Sequence, residues 1–157
     1  MSTLTAREVL DDCRISVEMM DAESDHARLR VQWIGALALL RLVGDVLNKV
    51  DSNRGSNVAE AVRTQFELDK THELYQEFIK GARDRAVHLY DHDLLDVSEI
   101  PILIEHSNGE LQQYELDECL YMPLTGLFRP GGDARDVYRD AIKWWDQHIT
   151  AIEQRIR

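Results

Sequence analysis

The sequence predicts a mainly all-α protein, an antiparallel bundle of four to five helices with a small β-hairpin insertion before the last helix. Three observations lead there. Apolar residues recur at three- and four-residue steps along most of the chain, the period of a buried helix face. Only three prolines and eight glycines occur in 157 residues, so long helices can run uninterrupted. The helical period lapses after Leu95, where two apolar runs flank Asn108-Gly109, a dipeptide suited to a tight hairpin turn.

The first helix is expected from about Leu4 to Met20, burying Val9, Leu10, Cys13, Val17 and Met20. Ser24 or Asp25 is placed to cap the second, because a short side-chain oxygen there can accept an orphan N–H of the first turn. Its core positions are Leu29, Trp33, Leu37, Leu40, Val43, Leu47 and Val50. Ile34, Ala36, Leu39 and Leu42 fall between them, so this helix is apolar over most of its circumference. A helix of that kind is central to a bundle or is also buried against a partner subunit.

Asp51-Ser52-Asn53-Arg54-Gly55-Ser56 reads as a loop. A third helical stretch begins near Asn57 and continues to about Asp93, with a break near Asp69-Lys70-Thr71. Its second half sets Leu74, Tyr75, Phe78, Ala82, Ala86 and Leu89 on one side. The hairpin strands, Ile100 to His106 and Leu111 to Tyr121, lie inside an insertion covering about residues 96–123. Gly131-Gly132-Asp133 reads as a turn plus a helix cap, since no Lys-Ser/Thr follows as in a phosphate loop. In the last helix Val137, Ala141, Trp144 or Trp145, His148, Ile152 and Ile156 share a face. The whole chain, 1–157, reads as one domain.

Composition narrows the function classes. The apolar share of 44% and charged share of 30% are those of an ordinary globular protein. The first residues lack the basic region and apolar stretch of a secretory signal, so export is not expected. The most apolar run, Val31 to Val50, is interrupted by Gln32, Arg41, Asp45, Asn48 and Lys49, which argues against a membrane span. Cys13 and Cys119 form no Cys-x-x-Cys pattern and read as buried, reduced thiols, so the expected location is the cytoplasm. The net charge of -11 repels polyanions at long range, so nucleic-acid binding requires a local basic patch.

The densest polar cluster on a helical stretch is Lys80-Gly81-Ala82-Arg83-Asp84-Arg85-Ala86-Val87-His88-Leu89-Tyr90-Asp91-His92-Asp93. At about 100° per residue, Asp84, His88 and Asp91 share one face, and Arg83 and Tyr90 a neighbouring one. A guanidinium, an imidazole, a carboxylate and a phenol then border one small volume. That set suits phosphodiester chemistry, with His88 moving protons, Arg83 offsetting charge on the phosphorane and Asp84 fixing the imidazole or the guanidinium. Lys80 and Arg85 are the candidate substrate-binding cations.

Arg83 to Tyr90 reads R-D-x-x-x-H-x-Y, which resembles the signature of the HEPN domain (higher eukaryotes and prokaryotes nucleotide-binding). That signature is an Arg, four to six residues, then a His, often with a polar residue directly after the Arg, where Asp84 stands. The resemblance implies a small helical bundle that forms a homodimer and brings two motifs together as a metal-independent ribonuclease site without cofactor. One branch, toxins paired with a small nucleotidyltransferase antitoxin, carries a Tyr two residues past the His, the residue that the antitoxin modifies with AMP. Tyr90 falls in that place. The resemblance covers the helices, and the hairpin insertion lies outside it.

The same residues carry blander readings. Arg85 and His92 give a second short match to the signature. His88 and His92 are four apart, one turn beyond Asp84, and a metal site there needs a third ligand from His26, His72 or His148; no metal is the expectation. His148 and the Trp144-Trp145 pair read as core and interface residues. No Gly-x-Ser-x-Gly, paired carboxylates or Cys-His arrangement marks another hydrolase class. The reading from a different class is a non-catalytic helical module that dimerises or binds a protein partner.

Overall fold

In the computed structural model, which describes residues 3–95, 101–115, 119–126 and 128–157, helices form where apolar periodicity places them. Helix α1 (Thr5–Ala22) buries Ala6, Val9, Leu10, Cys13, Val17 and Met20. A three-residue connection returns the chain as α2 (His26–Lys49), capped by Asp25, whose side chain accepts the Arg28 N–H at 2.9 Å. Helix α3 (Ser56–Asp69) follows a single 3-10 turn at Asp51–Arg54. A π-helical segment, Leu74–Lys80, runs directly into α4 (Gly81–Leu89). Helix α5 (Ala134–Ile156) closes the bundle, with Asp133 as its cap. The fold is therefore mainly α, with a two-stranded antiparallel hairpin before the last helix.

The hairpin pairs β1 (Pro101–Glu105) with β2 (Leu111–Glu115), from Pro101 opposite Glu115 to Glu105 opposite Leu111. Gly109 takes φ +81° and donates its N–H to the His106 carbonyl at 2.8 Å, a left-handed position that glycine adopts without a Cβ clash. The strands are shorter than expected, and Ile100 and residues 116–118 lie outside the described residues.

The core is aromatic at its centre. Trp33, Phe78, Tyr138 and Trp145 are fully buried, and the Trp33 ring lies 6.0 Å from both Phe78 and Tyr138. The Tyr138 hydroxyl donates to the Ala36 carbonyl at 2.9 Å, which locks α5 to α2. Both thiols are buried, and burial pushes Cys13 up to about 11, so it is an inert packing residue. Of the expected core positions, Val50 and Leu89 are exposed, because each sits at a helix end where the chain turns away. Of the two tryptophans offered for α5, Trp145 is the buried one and Trp144 packs on its flank.

The segment read as a loop after α2 is an anchor for the N-terminus. Leu4, at the α1 cap position, has no side chain that accepts a hydrogen bond. Asp51 does so from the other end of the helical hairpin, accepting Thr5 N–H at 2.8 Å and Ala6 N–H at 3.0 Å while fully buried. Arg54 balances its charge at 3.0 Å and also donates to the Thr3 carbonyl at 2.8 Å. Two orphan donors of α1 and one buried carboxylate are thus satisfied together. Asp51→Ala is expected to lower unfolding free energy by about 2–3 kcal/mol, because two buried N–H groups lose a charged acceptor. Urea unfolding followed by circular dichroism reads this, and a change below about 0.5 kcal/mol rules out the capping role.

Candidate functional site

The polar segment begins with an irregularity that its own sequence explains. Leu74, Phe78, Ala82 and Ala86, all buried, are spaced by four. On a regular α-helix a step of four overshoots a full turn by about 40°, so the apolar stripe drifts off the core. The wider π-turn absorbs the excess, and Ile79 joins the buried face. Gly81 closes the segment by donating its N–H to the Gln76 carbonyl, and a Cβ there would stand 3.0 Å from that oxygen. The helix carrying Arg83, Asp84 and His88 therefore starts from a fixed, glycine-dependent joint.

On α4, Asp84 and His88 stand one turn apart on one face. Arg83 is turned away from His88 along the helix, but its guanidinium leans back onto Asp84, with Nη1 to Oδ1 at 2.9 Å. Arg83 Nε is buried without a hydrogen-bond acceptor among the described residues. His88 is exposed in the last turn of the helix. Lys80 is exposed. Arg85 is engaged elsewhere, in an ion pair with the buried carboxylate of Asp93 that holds its pKa above the ordinary arginine value. With Arg83 on Asp84 and Arg85 on Asp93, the positive patch expected over Lys80, Arg83 and Arg85 is largely neutralised.

The helix does not continue to Asp93 as expected. It ends at Leu89, and Tyr90 takes a left-handed conformation at φ 54°. The Arg85 carbonyl collects the N–H groups of Tyr90 and Asp91. The expected shared face of Arg83 and Tyr90 is therefore absent, and Asp91 does not extend the face of Asp84 and His88. Tyr90 instead projects from the helix end, 66% exposed, its ring edge-on to His92 at 6.0 Å. The same turn separates His88 from His92, so they do not form an i, i+4 pair. No cluster of three His, Cys, Asp or Glu suited to a metal occurs among the described residues.

Sequence reading missed what stands beside this helix end. The Trp33 indole donates to the His92 carbonyl at 2.8 Å, pinning the segment to α2. His92 is held toward its neutral form, first by partial burial and then by Arg30 and His26 on the first turns of α2, against Asp91 and Asp93. Arg30, like Arg83, has a buried Nε without an acceptor among the described residues. The signal was weak in sequence because His26 and Arg30 lie more than fifty residues from the motif.

A second histidine is also more than packing. His148 Nδ1 lies 2.6 Å from Asp69 Oδ2, across the α3–α5 interface, and its ring stacks on Trp144 at 5.2 Å. Gln65 Nε2 donates to the same carboxylate oxygen at 2.8 Å. A cavity of about 220 Å³ beside it is lined by Gln65, Asp69, His72, Trp144, Gln147 and His148. A larger cleft, about 510 Å³, lies elsewhere, between Thr3, Arg54, Asn57, Glu153 and Arg157.

The chain matches no known protein family, no curated protein and no solved structure. The residues themselves therefore carry the functional reading.

Two expectations follow from this geometry. A tyrosine at φ 54° is strained relative to glycine, so Tyr90→Gly is expected to raise stability by about 1 kcal/mol. A urea midpoint at or below that of the wild type rules out the strain. His148 sits below its ordinary pKa because burial outweighs the attraction of Asp69. The unfolded chain then takes up the proton first, so this contribution is present above about pH 6.5 and is lost as pH falls toward the folded value. His148→Gln is expected to show a shallower loss of stability than wild type between about pH 7 and 5, and parallel pH profiles count against it.

Proposed function

We propose that this protein is a HEPN-like, metal-independent endoribonuclease of the cytoplasm, acting as the toxin or defence half of a two-component system. The observation that carries the reading is the arrangement on α4: an exposed His88 one turn beyond an Asp84 that already holds Arg83. In this reading His88 removes the proton from an RNA 2′-hydroxyl, whose oxygen attacks the adjacent phosphorus. The bond to the 5′-oxygen breaks, that oxygen takes a proton from a second acid, and a 2′,3′-cyclic phosphate remains. Arg83 offsets the charge on the phosphorane, with Asp84 orienting it. His88 of a second copy supplies the acid in a homodimer. Lys80, exposed and without an ion pair among the described residues, is a further cation on the same segment, while Arg85 contributes by holding the helix end. The exposed phenol of Tyr90 is accessible to a nucleotidyltransferase antitoxin.

A second reading, a non-catalytic helical module that binds protein, is favoured by one observation. Arg83 and Arg85 are both ion-paired in a chain of net charge -11, which leaves little free positive charge for RNA. Incubating purified protein with total RNA in a metal chelator separates the two. Cleavage leaving cyclic phosphate ends is expected for wild type, reduced at least about 100-fold in His88→Ala with helix content retained. Intact RNA with the wild type, or equal cleavage by both, selects the binding module or a contaminating nuclease.

A further inference from the structure

Helix α2 is apolar on both sides, and only one side is used by the core. Trp33, Leu37 and Leu40 point inward. Opposite them Val31 is 67% and Leu42 42% exposed, with exposed Gly35 and Ala38 between them. A Cβ built on Gly35 meets nothing within 4 Å, so this strip is open. By length and composition the stretch His26–Arg54 is apolar enough to cross a membrane, and 39% of its apolar window is buried in this fold.

The strip is symmetric under reversal. Turning the helix end over end about the midpoint between Gly35 and Ala38 exchanges Val31 with Leu42, and Arg28 with Asp45. We propose that this face packs antiparallel against the same face of a second copy of the chain, forming a two-fold dimer. Gly35 and Ala38 at the crossing let the helix axes approach to about 8 Å. Val31 of each copy then meets Leu42 of the other, and Arg28 comes level with Asp45 at both ends of a contact about 26 Å long. A parallel pairing sets Arg28 against Arg28 and Asp45 against Asp45, so charge selects the antiparallel one.

The charges are available for this. The Arg28 side chain has no hydrogen bond or ion pair among the described residues, and the Asp45 carboxylate is no closer than 4.0 Å to Lys49. Because the two-fold repeats each contact, one favourable pair becomes two. A single helix pair buries less than a standard interface of about 1,600 Å², so association is moderate and depends on protein concentration.

The inference does not rest on the ribonuclease reading, and one experiment tells the two apart. Sedimentation of the full chain across a wide concentration range at low ionic strength is expected to show a reversible dimer. Ala38→Arg is expected to weaken it at least about tenfold, and Val31→Asp tests the same face without crowding its centre. Arg28→Asp and Asp45→Arg each weaken it about threefold or more, while the double swap returns it to within about twofold of wild type. His88→Ala leaves it unchanged, so loss of RNA cleavage and loss of the dimer are separable. A wild type that stays monomeric, with or without binding to lipid vesicles, overturns the proposal. So does a dimer indifferent to Ala38→Arg and Val31→Asp, or a double swap no better than the singles.

Discussion

Trp33 is the residue through which the core reaches the polar segment. Its ring fills the space between the π-segment and α5, against Phe78 and Tyr138, and its one polar atom finds the His92 carbonyl. An indole N–H buried without that acceptor would cost more than the bond itself contributes, so the segment after α4 is held at one place on α2. Its position propagates. Asp93, next in the chain, is buried in a left-handed conformation, binds Arg85, and accepts the Thr125 N–H at 2.8 Å. Leu94 bridges Leu124 in turn. The end of the candidate helix, the segment beyond it and the approach to α5 are thus one connected arrangement.

The start of α4 is fixed by a different constraint, the mismatch between a stride of four and a period of 3.6. The chain resolves it with a π-turn, and Gly81 is the residue that lets the Gln76 carbonyl press in. Fixed at both ends, α4 presents Asp84 and His88 at a set orientation although it has few turns of its own. Short helices are marginal in isolation, so this orientation is supplied by the two joints rather than by helix propensity.

Much of the fold was legible because burial imposes periodicity. Val9, Cys13 and Val17, or Leu37, Leu40 and Leu47, mark their faces in the sequence and lie buried in the structure. The stride of four was also present in Leu74, Phe78, Ala82 and Ala86, and read as an ordinary helix it hid the π-turn. Helix ends were harder. Tyr90 carries no glycine or asparagine signal, and the contact that pins the chain just beyond its left-handed turn comes from Trp33, far away in the sequence. The same holds for Asp51, a polar residue in an apparent loop, whose partners are the N–H groups of Thr5 and Ala6. Within the candidate site, residue identities were legible but their pairings were not. Arg83 with Asp84 is a neighbour contact, whereas Arg85 with Asp93, and Arg30 near His92, depend on where the helix stops.

Charge ties these observations to function. In a chain with 18 basic and 29 acidic residues, ten of the basic ones form ion pairs among the described residues. Arg7 binds Glu153 across the bundle and Arg85 binds Asp93 beyond the end of α4, while Arg54 with Asp51 and Arg135 with Asp133 are local pairs that hold capping carboxylates. Cations used in this way do not attract a polyanion at long range. The exposed Lys80 and Arg28 are different, since neither is spent on an internal pair among the described residues. One stands at the joint that launches α4, and the other at the end of the open strip on α2. Any anion that reaches the Arg83–Asp84 pair must therefore be recognised at short range, by displacing or sharing Asp84, and not be drawn there by the field of the protein.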